Sequence, residues 1–241
     1  MDLGDRMKGY EAVSAGQLLR RVPVIVRVDG RAFHSLKLEK PFDHVFISCM
    51  REAAELLAQE MQGFRLGYVA SDEASFLLCD WDNVNTEPWF GYDLAKVISI
   101  SAAAMTAEFN RTCDPHRDMS LFDSRAFNVP LHDLPNYFLW RYQDWQRNSL
   151  SMYARSFFSH KQLHQKGRED MHEMLHGIGK NWATDVAPIV RNGSFLVRRD
   201  DGEYTYPLKW EIPDAQMGYA DIKDLVEAVL PKEESKCPTP S

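Results

Sequence analysis

RLGYVASDEASFLLCD, residues 65–80, is the stretch on which the fold turns. Its two apolar runs, 66–70 and 76–79, flank a polar tip of Ser71, Asp72 and Glu73, a pattern that predicts a β-hairpin with acids at its turn. Upstream, VPVIVRV (22–28) is β-branched and nearly continuous in apolar character, as a buried strand should be, and it runs into Asp29-Gly30. Between the two, Val45, Ile47, Met50, Ala54, Leu57 and Met61 recur at helical spacing after Pro41, with Asp43 placed to cap a helix over 43–61. A further helix is predicted over 93–111 and a short strand over 124–129. The first half therefore reads β-α-β-β-α-β, an α+β, ferredoxin-like split βαβ.

The second half begins at Leu134-Pro135, where proline suits a first helical turn. One or two helices are expected up to about His164, carrying Tyr137, Trp140, Trp145, Tyr153 and Phe157. Another helix over 168–176 should stop at Gly177 and Gly179. Strand-like runs over 187–198 and 204–210 bracket the turn Asp200-Asp201-Gly202, giving a small C-terminal β-hairpin region, and a last helix is expected over 221–230. The tail PKEESKCPTPS is polar and proline-rich, and is expected to be loosely held. This divides the chain into a core, 1–132, and a helical and hairpin extension, 133–241, packed on it as one compact domain.

With 241 residues, 44% of them hydrophobic and 26% charged, the chain can bury an ordinary core. A net charge of -7 gives no cationic surface as a whole, so any nucleic-acid contact must rest on local patches and bound metal. Cys49, Cys79, Cys113 and Cys237 form no CxxC pair, which argues against a zinc knuckle and is read as a reduced chain. No uninterrupted apolar stretch of about 18 residues is present, so a cytoplasmic protein without membrane contact is expected.

A split βαβ lets a strand-end carboxylate, Asp29, and a hairpin-tip carboxylate, Asp72, share one edge of the sheet. Two such acids with phosphates and water suit Mg²⁺, and a pair of ions about 3.5–4 Å apart can activate an attacking oxygen while stabilising a leaving one. Gly30 allows close backbone approach and offers its carbonyl as a third ligand, with Glu73 as an outer helper. Arg27, two residues before Asp29, projects to the same sheet face, where it meets a phosphate or pairs with Asp72. Arg147, Arg155, Lys161 and Lys166 form either the local basic patch that any nucleic-acid contact would need or an ordinary charged helix face.

RVDGRAFH (27–34), EKPFD (39–43) and GYVASDEASFLL (67–78), in this order and spacing, resemble the tRNA-histidine guanylyltransferase family and its Thg1-like branch, over roughly residues 5 to 215. The resemblance implies a polymerase-palm fold, two Mg²⁺ ions, usually a homotetramer, and nucleotide addition in the 3′-to-5′ direction at the 5′ end of tRNA. By motif match it implies that Asp29, Gly30 and Asp72 hold the metals and that Asp29, Asp72 and Glu73 are catalytic. It further implies a nucleotide-binding set of Arg27, Gly30, Arg31, Ala32, Phe33, His34, Lys40, Ser71, Asp72 and Lys96, with ATP or GTP activating the RNA. Eukaryotic members carry HINNLYN where this chain has QRNSLSM (146–152); Asn148 is retained and joins the RNA-facing set. That departure resembles the branch associated with templated repair of truncated tRNA 5′ ends, rather than addition of one untemplated G. A noncatalytic tRNA-binding protein and a cyclase-like palm enzyme are the competing readings.

Overall fold

β1 (Val24–Gly30) is an interior strand of a six-stranded sheet, and its residues alternate between two buried layers. Val24, Val26 and Val28 enter one apolar cluster; Ile25 enters the other. The computed structural model describes residues 2–33, 36, 38–113, 119–198 and 208–231. The remaining strands are β2 (Phe64–Ala70), β3 (Glu73–Leu78), β4 (Phe122–Asn128), β5 (Ser194–Arg198) and β6 (Leu208–Glu211). Their order is β4-β1-β3-β2-β5-β6, every neighbouring pair antiparallel. The predicted hairpin is β2–β3, with Ser71 and Asp72 as its turn, and β3 lies between β1 and β2.

Two helices cover the valine face. In α2 (His44–Glu60) the Asp43 carboxylate accepts from Phe46 N at 2.9 Å, the cap the sequence calls for. α3 (Leu94–Thr112) is capped in the same way by Asp93. Against the other face lies α4 (Leu134–Ala154), with Pro135 in its first turn and Phe138 and Tyr142 fully buried, alongside α9 (Tyr219–Val229). α5 (His160–Leu163), α6 (Arg168–Gly177), α7 (Trp182–Asp185) and α8 (Pro188–Asn192) follow α4, and with it build a third apolar cluster around Leu150 and Leu175, against which Leu163 of α5 packs.

Sequence expectation and structure differ at three points. Residues 187–198 do not form one strand: Pro188 starts α8, and Gly193, at φ +69°, turns the chain into β5. A Cβ at Gly193 would lie 2.8 Å from the Val69 carbonyl oxygen, so glycine is required where the chain passes β2. β5 and β6 pair antiparallel, as expected of a C-terminal hairpin, and β5 also pairs with β2, so the two strands prolong the sheet. An unforeseen helix, α1 (Leu3–Ala12), opens the chain. Cys49 and Cys113 are joined in a disulfide, correcting the reduced reading; side-by-side packing of α2 and α3 brings together residues 64 positions apart. The turn 200–202, residues 204–207 of the expected second run, and the tail from 232, with Cys237, lie outside the described residues. No described helix is long and apolar enough to cross a membrane.

Candidate active site

Strand pairing brings the two acids together. Gly30 N donates to the Asp72 carbonyl at 2.9 Å, so the hairpin turn closes against the end of β1. Asp29 stands opposite Glu73 of β3 on one side and Asp123 of β4 on the other. Asp123 was not anticipated; its carboxylate pairs with Arg125 at 3.2 Å. Ser71, first in the turn, takes φ +55°, a left-handed conformation uncommon outside glycine and found where turns are held by their surroundings.

Gly30 owes its identity to Phe33. A Cβ there would fall 2.2 Å from Phe33 Cδ2, and that ring is fixed among Phe46, Phe109 and Phe122 at centroid distances of 5.0–5.7 Å. Phe33 is 4% exposed, so its ring anchors the turn from beneath and any contact it makes with a nucleotide runs through its main chain. Arg31 and Ala32 are exposed above it, Ala32 at φ +58°. Gly30→Ala is expected to cost about 1–3 kcal/mol by overpacking, read as a lower urea midpoint with unchanged slope. An unchanged midpoint would mean that the ring moves aside freely.

A cavity of about 320 Å³ opens at this edge. Asp29, Ala70, Ser71, Asp72 and Glu73 line its sheet side, and Arg141, Asp144, Asn148, Ser151 and Arg155 line its helix side. The latter recur at steps of three and four along α4, a polar stripe on a helix whose opposite side is aromatic core. That periodicity was the signal for Arg141 and Asp144, which sequence reasoning missed. Arg141 holds Glu73 through two parallel bonds, Nε to Oε1 and Nη2 to Oε2, each 2.7 Å. Arg27 Nε lies 3.9 Å from the same carboxylate, so its ion-pair partner is Glu73 rather than Asp72. Burial pushes the Glu73 carboxyl above its usual range; Arg141 and Arg27 pull it down, and nearby Asp29 pushes it up. Asp144 in turn gathers Arg141 at 3.5 Å, Asn148 at 3.5 Å, and Arg147.

Other expected residues fall in different places. Lys40 is exposed in the loop before α2, and His34 lies outside the described residues. Lys96 is not brought to the acids: it begins α3, whose Thr106 hydroxyl accepts from Phe122 N beside Gly30, ten residues or about 15 Å along the helix. Arg147, Lys161 and Lys166 are exposed, and Arg155 and Asn148 reach the cavity. Within QRNS, Gln146 and Ser149 point inward: Gln146 Nε2 donates to Tyr142 Oη and Asn192 Oδ1, and Ser149 is fully buried.

Among the described residues no cluster of three or more His, Cys, Asp or Glu side chains could hold a metal unaided. Two carboxylates with a neighbouring backbone carbonyl still match the donor set Mg²⁺ takes when phosphates and water complete it.

An antiparallel sheet whose strand end and hairpin tip present carboxylates, faced across a cavity by Arg141 and Arg155 of a helix and its cap, defines an α+β protein with paired acids and cations at one edge of its sheet. The family model for tRNAHis guanylyltransferase matches residues 4–130, and the chain belongs to that family. A bacterial tRNA(His) guanylyltransferase (Thg1)-like protein solved with ATP superimposes with a TM-score of 0.85 at 34% identity, covering 96% of this chain and all of that one. A bacterial Thg1-like protein solved with GTP gives 0.76 at 31% identity, covering 95% and 99%. tRNA(His) guanylyltransferase 2 of Arabidopsis thaliana is 31% identical over 156 residues, 60% of this chain and 28% of the plant protein. The chain thus spans less than a third of the length of that curated relative.

Proposed function

We propose that the protein is a nucleotidyltransferase that extends the 5′ end of tRNA in the 3′-to-5′ direction, using ATP or GTP to activate the 5′-phosphate. The observation that carries this reading is the cavity with Asp29 and Asp72 on one wall and Arg141, Asn148 and Arg155 on the other. Its volume falls within the range of small-ligand sites, and its pairing of acids with cations suits a triphosphate held through metal. The relatives solved with ATP and with GTP support both nucleotides as ligands.

In this reading the βαββαβ part of the sheet is a ferredoxin-like polymerase palm, residues 1–132 form the catalytic core, and 133–241 the extension. Asp29, Asp72 and the Gly30 carbonyl hold two Mg²⁺ ions, which when bound stabilise the attacking and leaving oxygens of a phosphoryl displacement. Arg27 and Arg141 hold Glu73 beside them. Ser71 shapes the metal-bearing turn, and Arg31, Ala32 and Lys40 approach the triphosphate from the loop after β1. Arg155 and Asn148 receive RNA or nucleotide from α4, and Arg147, Lys161 and Lys166 lie outward along the RNA. In the first step the tRNA 5′-monophosphate attacks the α-phosphate of ATP or GTP, releasing pyrophosphate and leaving a 5′-5′ nucleotidyl cap. The 3′-hydroxyl of the incoming triphosphate then attacks the tRNA 5′-phosphate, expelling AMP or GMP. Neither step needs a covalent protein nucleophile. Templated repair is favoured over a single untemplated G because the QRNS segment departs from HINN at Gln146 and Ser149.

The test gives the purified protein a 5′-monophosphorylated tRNA lacking its first nucleotide, with ATP, all four triphosphates and Mg²⁺. Template-matched lengthening at the 5′ end, with pyrophosphate release and abolition by EDTA, is the expected outcome. Binding without lengthening would leave an RNA-binding protein, and triphosphate turnover without RNA would leave a cyclase-like enzyme; either defeats the proposal.

A further inference from the structure

Trp140 is 52% exposed although it stands on α4, the helix that covers the second face of the sheet with aromatic core. Trp140, Asp144, Arg147 and Ser151 are spaced four, three and four apart and run along one side of that helix, so the indole carries the helix wall of the cavity one turn further, to its rim. Its mount is rigid. Arg141, fixed to Glu73 by two bonds of 2.7 Å, sets its guanidinium 4.5 Å from the centre of the indole. Tyr137, whose hydroxyl is tied to Ser75 at 2.8 Å, meets the indole in a T-shaped contact at 6.0 Å. One guanidinium therefore separates the indole from Glu73, which stands opposite Asp29. Cations flank it on both sides. Phe127 of the edge strand β4 meets Tyr137 at 5.9 Å, and Arg125, two residues earlier, shares the face of Phe127; Arg147 lies two turns along α4. Arg125 pairs with Asp123 and Arg147 with Asp144, but both guanidiniums are at least half exposed, where such pairs contribute little and can be exchanged for phosphate.

The geometry points to Trp140 as a stacking platform for the terminal base of the RNA end whose 5′-phosphate enters the cavity. This rests on the reading of that cavity as the place where a tRNA 5′ end is extended. A phosphate beside Asp29 and Asp72 carries a base that the cavity itself does not stack, because the aromatic residues of its lining, Tyr68 and Trp145, are only 2% and 8% exposed. A shortened acceptor stem ends in a base with one face uncovered, since the nucleotide that would have stacked on it is missing. A rigid indole in water at the rim offers that face a cover, and stacking of this kind is worth about five- to a hundredfold in affinity. It also suits templated extension. Every base has a π-face, so the contact holds whatever the terminal base is, and identity is left to pairing with the opposite strand. Arg125 and Arg147 add phosphate contacts that hold the strand across the ring without reading its sequence.

The test is a binding cycle on the full chain at fixed salt, without triphosphate, so that it reads affinity and not turnover. Wild type, Trp140→Ala and Trp140→Phe are titrated with a 5′-monophosphorylated tRNA lacking its first nucleotide, and with the same RNA made abasic at its 5′-terminal position. Trp140→Ala should weaken binding of the RNA that carries the base about five- to a hundredfold, and Trp140→Phe should recover most of that. The abasic RNA should bind wild type and Trp140→Ala alike, because each change removes one side of the same contact and the losses do not add. 2-Aminopurine at the terminal position should be quenched on binding wild type and stay bright with Trp140→Ala, a readout that loosened packing around Arg141 does not move. Additive losses, or equal quenching by both proteins, would overturn the inference with 5′ lengthening intact. A raised KM for ATP with RNA affinity unchanged would overturn it too, by assigning the indole to the base of the activating nucleotide. A non-additive cycle in a protein that lengthens no RNA would uphold the stacking and defeat the functional reading alone.

Discussion

Asp29→Asn and Asp72→Asn are each expected to slow single-turnover nucleotidyl transfer by about a thousandfold or more while leaving the thermal midpoint unchanged or slightly raised. Of the four carboxylates lining the cavity, Glu73 is held by Arg141 and Asp144 by Arg141 and Arg147, which leaves Asp29 and Asp72 as the anionic ligands a metal would have, and each substitution removes one of the two. Metal stabilisation of transition-state charge is worth several kcal/mol, and about 4 kcal/mol corresponds to a thousandfold in rate. Stability should not suffer, because Asp29 sits between Glu73 and Asp123 on neighbouring strands, and like charges placed opposite one another repel. Asparagine keeps the volume and removes the repulsion. Rates within tenfold of wild type in both variants, with EDTA still inhibiting, would show that metal binds elsewhere.

The fold was legible where one physical signal dominated. β1 declares itself through a run of valine and isoleucine buried on both sides, and the β2–β3 hairpin through a two-residue polar interruption that sets Asp72 at the tip. Because side chains alternate along a strand, placing β1 beside β3 was enough to put Arg27, Asp29 and Glu73 on one face. Where signals competed, the sequence misled. Residues 187–198 look strand-like in composition, yet Pro188 and Gly193 impose a helical turn and a left-handed step that hydropathy does not register. α1 escaped notice because two glycines and an incomplete core lower every helix signal except its cap.

Within the site, the Asp29–Asp72 pairing could be foreseen from strand connectivity, but the helix side could not. Arg141 lies 68 residues from the glutamate it holds, and only the docking of α4 across the sheet joins them. The polar stripe on α4 was visible as periodicity; which acid it would meet was not. Phe33 shows the converse. A motif assigns it to a nucleotide loop, while the packing of four phenylalanine rings assigns its side chain to the core beneath that loop.

Arg141→Ala should lower stability by about 3 kcal/mol near neutral pH, a drop in Tm of about 6–12 °C for a chain of this size. Both side chains are largely enclosed, 14% and 15% exposed, so truncation strands a buried carboxylate beside Asp29 with only Arg27 at 3.9 Å to offset it. The effect should depend on pH in a defined direction. Burial raises the Glu73 carboxyl above its ordinary value, so the folded state holds that proton more tightly than the unfolded chain does. Stability from this group is therefore fully present below the ordinary carboxylate range and is lost as pH rises through the raised folded value. Removing Arg141 takes away the largest influence pulling that value down, which widens the window and deepens the loss. The deficit relative to wild type should then be greatest near neutrality and shrink as acid protonates Glu73. Adding Glu73→Gln should recover most of it, because a neutral amide can stay buried where an unpaired carboxylate cannot. A deficit equal at both ends of the pH range and untouched by Glu73→Gln would have another origin. It would then belong to the stacking of the guanidinium over Trp140, 4.5 Å from the ring centre, and Arg141 would act as packing rather than as the counter-charge that keeps Glu73 beside Asp29 and Asp72.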